Sequence, residues 1–153
     1  MNKWPLVSIV TPSLNQGRFI RATIESILGQ DYPNLEYWVI DGGSKDETLE
    51  ILKSYANRIH WISEPDNGQS QAVNKGWKFS NGDILGWVNA DDLLQPLAVQ
   101  SAVEALLTKQ SIGAVYGGAI YVDDHGRSIE QYPVHTYNYE TLVSQTENFI
   151  PQP

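Results

Sequence analysis

Gly82-Asp83-Ile84-Leu85-Gly86-Trp87-Val88-Asn89-Ala90-Asp91-Asp92 is a turn, a short apolar run and two adjacent carboxylates. Ile84 to Val88 has the length and the β-prone composition of a buried strand. Neighbouring acids in a partly dry site at a strand end repel each other. A divalent cation relieves that repulsion, because Mg²⁺ and Mn²⁺ prefer oxygen ligands and usually bind through one or two carboxylates plus substrate phosphates. An exposed loop in which an Asp caps the helix beyond Leu93-Leu94 accounts for the same residues equally well. The surrounding chain has to separate the two readings.

Working outward, the same strand-then-polar-loop pattern recurs. Leu6 to Val10 is an apolar run ending in Thr11-Pro12-Ser13-Leu14-Asn15, and Leu35 to Ile40 is a second run ending in Asp41-Gly42-Gly43-Ser44. Ile59 to Ile62 is a third, followed by Glu64-Pro65-Asp66-Asn67-Gly68. Between them lie helical patterns. Phe19, Ile20, Thr23, Ile24, Ile27 and Leu28 form one apolar face, and Tyr32-Pro33-Asn34 breaks the pattern. Ser44-Lys45-Asp46-Glu47 fits a capping box for a helix through Leu49, Ile51, Leu52 and Tyr55. Another helix is expected near Gln69 to Phe79. Pro96 suits the first turn of a fourth, whose apolar face is Val99, Val103, Leu106 and Leu107. Ala114 to Tyr116 reads as a further strand. Ala119 to Val122 and Ser128 to Tyr132 flank a hairpin turn, and a short helix is expected over Tyr139 to Val143. Strands alternating with helices predict an α/β fold: a three-layer α/β/α sandwich around a mostly parallel, twisted sheet.

The 153 residues fit one domain, 1–153, with 41% hydrophobic and 18% charged residues, as in ordinary globular proteins. Ten Lys and Arg against 18 Asp and Glu give a formal charge of −8, which argues against nucleic acid as a partner. The absence of Cys excludes disulfides and Cys-based zinc sites. No apolar window reaches membrane-spanning length, so a cytoplasmic location, extending to the inner face of the membrane, is the expectation. His60, His125 and His135 lack metal-ligand spacing. Trp38, Trp61, Trp77 and Trp87 read as packing residues, and Arg18 and Arg21 as a solvated helix face.

In open α/β sheets, ligands bind outside the carboxyl ends of the strands, where these polar clusters fall. There is no G-x-G-x-x-G and no Walker lysine motif, so dinucleotide and P-loop readings lack support. Five segments, in order, carry a resemblance: Val7-Ser8-Ile9-Val10-Thr11-Pro12-Ser13-Leu14-Asn15, Ser26 to Glu36, Asp41-Gly42-Gly43-Ser44-Lys45-Asp46-Glu47-Thr48, Asn67 to Gly76, and Asn89-Ala90-Asp91-Asp92. Together they resemble the inverting, nucleotide-sugar-dependent glycosyltransferases of family 2, which have the GT-A fold and include the cellulose and chitin synthases.

The resemblance implies a nucleoside-diphosphate sugar donor, with a UDP-sugar favoured, and Mn²⁺ or Mg²⁺ as cofactor. Asp92 would bind the ion, and Asp91 the ion or the ribose. Pro12, Ser13, Asp41 and Gly42 would line the base and ribose pocket. Glu64 or Asp66 would touch the base, and Asn74 or Lys75 would hold the loop. The acceptor would be a saccharide or a lipid-linked molecule, in cell-wall or polysaccharide synthesis. Two positions depart from the family pattern: Asn89 opens the D-x-D-type motif in place of Asp, and Gly42 stands where a second Asp is common. The general base of an inverting transfer is expected beyond Pro153, so the chain reads as a donor-binding part cut before the acceptor part. Asp123, Asp124 and Glu130 read as surface charges of the hairpin. The rival expectations are a non-catalytic nucleotide-binding module of the same fold and a sugar-phosphate nucleotidyltransferase, which would need a glycine-rich basic loop after the first strand.

Overall fold

The computed structural model of the chain describes residues 4–123, 126–132 and 140. Its elements run β1 (Val7–Ser13), α1 (Ile20–Leu28), β2 (Leu35–Asp41), α2 (Thr48–Ser54), β3 (His60–Ser63), α3 (Gln69–Phe79), β4 (Ile84–Trp87), α4 (Ala98–Leu107), β5 (Ile120–Val122) and β6 (Ser128–Gln131). They group into two compact units, one up to Gln100 and the other from Ser101 onward.

In the first unit, four parallel strands stand in the order β3-β2-β1-β4. β1 is at the centre, buried at every position, with β2 paired from Val7↔Leu35 to Ser13↔Asp41 and β4 from Val7↔Ile84 to Val10↔Trp87. The chain steps outward from β1 to β3 and then returns to the far side of β1. Right-handed crossovers therefore put α1 and α2 on one face and α3 on the other. This is the expected α/β sandwich.

Each face follows from the period-two pattern of the strands. Toward α3 point Val10, Trp38, Ile40 and Ile62, which pack with Ala72 and Trp77. Gly76 lets α3 lie against the sheet, because a Cβ there would stand 2.4 Å from Cγ1 and 2.7 Å from Cγ2 of Val10. Toward α1 and α2 point Ile9 and Val39, on the side where Ile20, Ile24, Ile27 and Leu52 are fully buried. Each such Ile or Leu contributes roughly 1.5–3 kcal/mol by leaving water.

Several expectations are corrected in detail. Ser44 and Glu47 do not form a capping box: α2 starts at Thr48, and its amide and hydroxyl both bond Asp46 Oδ1, at 3.1 and 2.5 Å. The N-cap position is Glu47, which makes no side-chain capping bond, and the Ser44 hydroxyl is drawn to Asp41, as described below. Helix α4 begins at Ala98 and not at Pro96, since Leu97 adopts φ +64°, outside helical geometry. Its face is narrower than expected: Val99 and Val103 are buried, while Leu107 is exposed. Ala114 to Tyr116 is not a strand. Trp87 is 37% exposed, because β4 is an edge strand of the described sheet and its alternate residues face outward.

In the second unit, β5 and β6 pair antiparallel as the expected hairpin, with Tyr121 against Tyr132 at 5.5 Å. Asp124, His125 and His135 lie outside the described residues, as does the helix expected over Tyr139 to Val143 apart from Glu140.

A Glu36 carboxylate pins the turn into β4. It accepts from the Ser8 hydroxyl, from Asn81 N at 2.8 Å and from Asn81 Nδ2 at 3.0 Å. Burial alone would raise its pKa, but these hydrogen bonds outweigh burial and hold it below the ordinary carboxylate range. The folded state therefore binds fewer protons here than the unfolded state. The resulting stability is present above the ordinary carboxylate pKa and is lost as pH falls through the depressed folded value. Glu36→Gln should lower the melting temperature at pH 7, with the deficit closing below about pH 4, as followed by circular dichroism across pH. Gly76→Ala should destabilise by about 1–3 kcal/mol in urea titrations despite the better helix propensity of Ala, since Val10 and Ile40 have no room to retreat.

Candidate functional site

The chain order reverses beside β1, between β4 and the β2 side, and such switch points are where open α/β sheets bind ligands. A cleft of about 290 Å³ opens there. Pro12, Ser13, Leu14 and Gln16 line it from the end of β1, Asp66, Gly68, Gln69 and Ala72 from the start of α3, and Asn89, Ala90 and Asp91 from the end of β4.

The carboxylate loop is held by α1. Thr23, Ser26 and Gln30, at helical spacing, all reach backbone of residues 90–99. The Thr23 hydroxyl donates to Ala90 O at 2.8 Å, and Ser26 Oγ accepts from Leu94 N at 3.1 Å. Gln30 donates to Gln95 O at 2.9 Å and accepts from Val99 N at 3.2 Å. The Asp91-Asp92 pair is thus fixed from behind. Asp91 is exposed and lines the cleft, while Asp92 is half-buried beside it. Burial first, and the charge of Asp91 second, raise the Asp92 pKa, and a hydrogen bond from Asn89 Nδ2 at 3.1 Å opposes them. A divalent cation between the two acids would remove the repulsion. Among the described residues no group of three or more His, Cys, Asp or Glu gathers to hold a metal, here or elsewhere, so an ion at the two acids would need ligand oxygens from a bound substrate.

Ser13 supplies an independent sign of a ligand. It is 6% exposed, lines the cleft, and its hydroxyl has no hydrogen-bond partner among the described residues. A buried, unsatisfied hydroxyl costs about 1–3 kcal/mol, which a ligand acceptor or donor would recover.

Asp41 stands apart from this cleft. It is fully buried and accepts from Gly43 N at 3.1 Å, Ser44 N at 2.9 Å, Ser63 Oγ at 2.7 Å and the Ser44 hydroxyl. Its carboxylate therefore holds the ends of β2 and β3 together and does not line the cleft. Gly42 does not line it either: its N–H bonds Ser13 O at 2.8 Å, and Asp66 lies over its bare α-carbon, where a Cβ would come 3.2 Å from Asp66 Oδ2. Asp66 is the acid that faces the cleft from this side, and Gly68 N bonds its Oδ1 at 2.9 Å. Gly68 takes φ +109°, a conformation that favours Gly, to start α3 at the cleft. Glu64 is exposed and ion-paired to Lys75 at 2.8 Å, and Asn74 is exposed on α3; neither lines the cleft.

The loop after β1 is latched to the loop after β2. Asn15 N donates to Ser44 Oγ at 2.7 Å, Gln16 N to Thr48 Oγ1 at 3.0 Å and Gly17 N to Asp46 Oδ2 at 2.9 Å. Lys45 N returns a bond to Asn15 Oδ1 at 2.8 Å, with Asn15 at φ +53°, which Asn tolerates. Arg21, on α1, stacks over Tyr55, while Arg18 lies in the turn before α1 and not on the helix face expected for it, and stacks over Phe19. In the second unit Asp123 pairs with Arg127 at 2.7 Å and Glu130 is exposed.

Gln69 and Gln16 escaped the sequence reading as individual site residues. Gln69 sat inside a quoted motif, but only the fold brings it across to Asn89, 20 positions along the chain.

The family model for glycosyl transferase family 2 matches residues 8–150, and the chain belongs to that family. It is 34% identical to the chondroitin synthase of Escherichia coli over 148 residues, which is 94% of this chain and 22% of that protein. The chain spans between 12% and 40% of the length of the curated relatives it matches. Among solved structures, a mannosyltransferase from Pyrobaculum calidifontis in complex with GDP-Man and Mn²⁺ matches with TM-score 0.65 and 26% identity, covering 69% of this chain and 33% of that one. Glucosyl-3-phosphoglycerate synthase from Mycobacterium tuberculosis, with Mn²⁺, UDP and glucosyl-3-phosphoglycerate, matches with TM-score 0.59 and 28% identity, covering 71% and 42%. No helix among the described residues is long and apolar enough to cross a membrane.

If Asp41 is a tie within the rim, Asp41→Ala should cost about 3 kcal/mol or more in urea unfolding, because several buried donors lose their acceptor. An unchanged unfolding midpoint would contradict that role.

Proposed function

We propose that this chain is the donor-binding part of an inverting glycosyltransferase that uses a UDP-sugar and a divalent metal. The observation that carries the proposal is the Asp91-Asp92 pair, fixed by α1 at the mouth of the switch-point cleft and lacking a neutralising partner among the described residues. Asp91 and Asp92 would hold Mn²⁺ or Mg²⁺, with the donor diphosphate completing the oxygen shell. The ion, when bound, supplies stabilisation of the negative charge that develops on the departing nucleoside diphosphate. Mn²⁺ in the complexes of two structural relatives supports the choice of metal.

The chain's own groups do the positioning. Pro12 and Leu14 give the cleft an apolar wall for the flat face of a base, and Ser13 Oγ gains the hydrogen bond it lacks. Asp66 accepts an N–H from the base, a role for which Glu64, bound to Lys75, is less free. Asp41 and Gly42 act one step back: Asp41 keeps the rim rigid and Gly42 leaves the space that Asp66 occupies. Asn74 is reserved for the outer face of α3. In the transfer, an acceptor oxygen bonds the anomeric carbon from the side opposite the leaving group, the bond to the nucleoside diphosphate breaks, and a general base takes the acceptor proton. No described residue of the cleft is assigned as that base. The acceptor is read as a saccharide or lipid-linked molecule, and the setting as polysaccharide synthesis on the cytoplasmic side of a membrane.

Two rivals are weighed against particular bonds. A nucleotidyltransferase needs free backbone N–H groups after β1 to cradle phosphates, but those of Asn15, Gln16 and Gly17 are occupied by Ser44, Thr48 and Asp46, which speaks against it. A non-catalytic binding module is favoured only by Asn89, which removes one charge from the metal motif.

Isothermal titration of UDP should show binding with Mn²⁺ present, at least about tenfold weaker binding without it, and loss of the Mn²⁺ effect in Asp92→Asn. Absence of UDP, GDP and dTDP binding in either condition would sink the donor-site reading. Donor hydrolysis, slow or fast, would remove the non-catalytic one.

A further inference from the structure

Asn89 occupies the first position of the carboxylate motif, and its side-chain oxygen looks at first like a neutral replacement ligand. The hydrogen bonds around it point elsewhere. Asn89 Nδ2 donates to Asp92 Oδ2 at 3.1 Å, and Asn89 Oδ1 accepts from Gln69 Nε2 at 2.5 Å. A carboxylate only accepts, so the edge of the amide turned to Asp92 must be its NH₂. The oxygen is then left facing Gln69, which in turn must present its own NH₂. Each amide orientation in the chain Gln69–Asn89–Asp92 follows from the acid at its end.

We propose that Gln69 is a positioning residue: through Asn89 it aims Asp92 at the metal. This rests on the reading of Asp91 and Asp92 as the metal site. Asn89 holds Oδ2 of Asp92 with an N–H bond, which fixes the orientation of that carboxylate beside Asp91. Gln69 is well placed for this task. It is the first residue of α3, directly after Gly68, whose N–H holds Asp66. The relay thus runs from the turn that presents Asp66, across the cleft, to the β4 end that presents the acids. Partners of metal-ligating groups commonly matter this much, since they set the orientation of the ligand.

The test is free Mn²⁺ measured by electron paramagnetic resonance, in the presence of UDP, for the full chain and for Gln69→Ala, Asn89→Ala, the double variant and Asp92→Asn. The expected result is about tenfold weaker Mn²⁺ binding for each single alanine variant. The double variant should bind no more weakly than Asn89→Ala, because Gln69 acts only through Asn89. Without metal, the Asn89 side-chain ¹⁵N resonance should shift in Gln69→Ala. Parental Mn²⁺ affinity in Gln69→Ala, losses that multiply in the double variant, or an unmoved Asn89 resonance would each overturn the proposal while leaving the metal site standing. Parental affinity in Asp92→Asn would instead remove the metal reading, and the proposal with it.

Discussion

A carboxylate with no exposed surface organises the rim of this sheet. Asp41 sits at the end of β2, where a lone buried charge would be very unfavourable. It is tolerable because two backbone N–H groups and two hydroxyls converge on it. Those donors come from the loop after β2 and from the end of β3. Ser44 then uses its oxygen a second time, to accept from Asn15 in the loop after β1. Three strand ends are thereby locked together around one acid, and the walls of the cleft at Pro12, Ser13 and Asp66 depend on that lock.

The opposite wall is held differently. There Asp91 faces the cleft and Asp92 is half-buried behind it with one donor, Asn89, while the scaffold grips the backbone on either side of them. Thr23 and Ser26 on α1, with Gln30 just beyond its end, form a polar edge next to the helix's apolar, sheet-facing stripe. One helix therefore does two jobs: Ile20, Ile24 and Ile27 anchor it to the sheet, and the polar edge fixes the loop beyond β4. The backbone around Asp91 and Asp92 is fixed while their like charges stay close, and that proximity helps to raise the Asp92 pKa.

Much of this was legible along the chain because it is local. The apolar runs, the 3.6-residue face of α1 and the polar clusters at strand ends come from backbone periodicity, and they point to the α/β sandwich and to the edge that carries the cleft. The misreadings share one cause. Ser44 looked like a helix cap, Pro96 like a helix start and Trp87 like a core residue from their immediate neighbours. Asp41 competes for the Ser44 hydroxyl, Leu97, next to Pro96, takes a left-handed conformation, and β4 lies at a sheet edge; none of the three is written in residue type or periodicity.

By itself, then, the sequence determined the strand-helix alternation up to α4, the parallel sheet and the family, since these rest on spacing that each segment carries internally, whereas the strand expected over Ala114 to Tyr116 does not form. Only the tertiary structure decided which acid faces the cleft. Asp41 and Asp66 are equivalent as text, but one is consumed by four donors and the other stands over a glycine beside the opening. The same holds for Asn89, whose amide N–H is turned to Asp92 and whose oxygen is therefore left facing Gln69. Hydrogen-bond partners are set by distance in space, and the fold sets that distance among residues far apart along the chain.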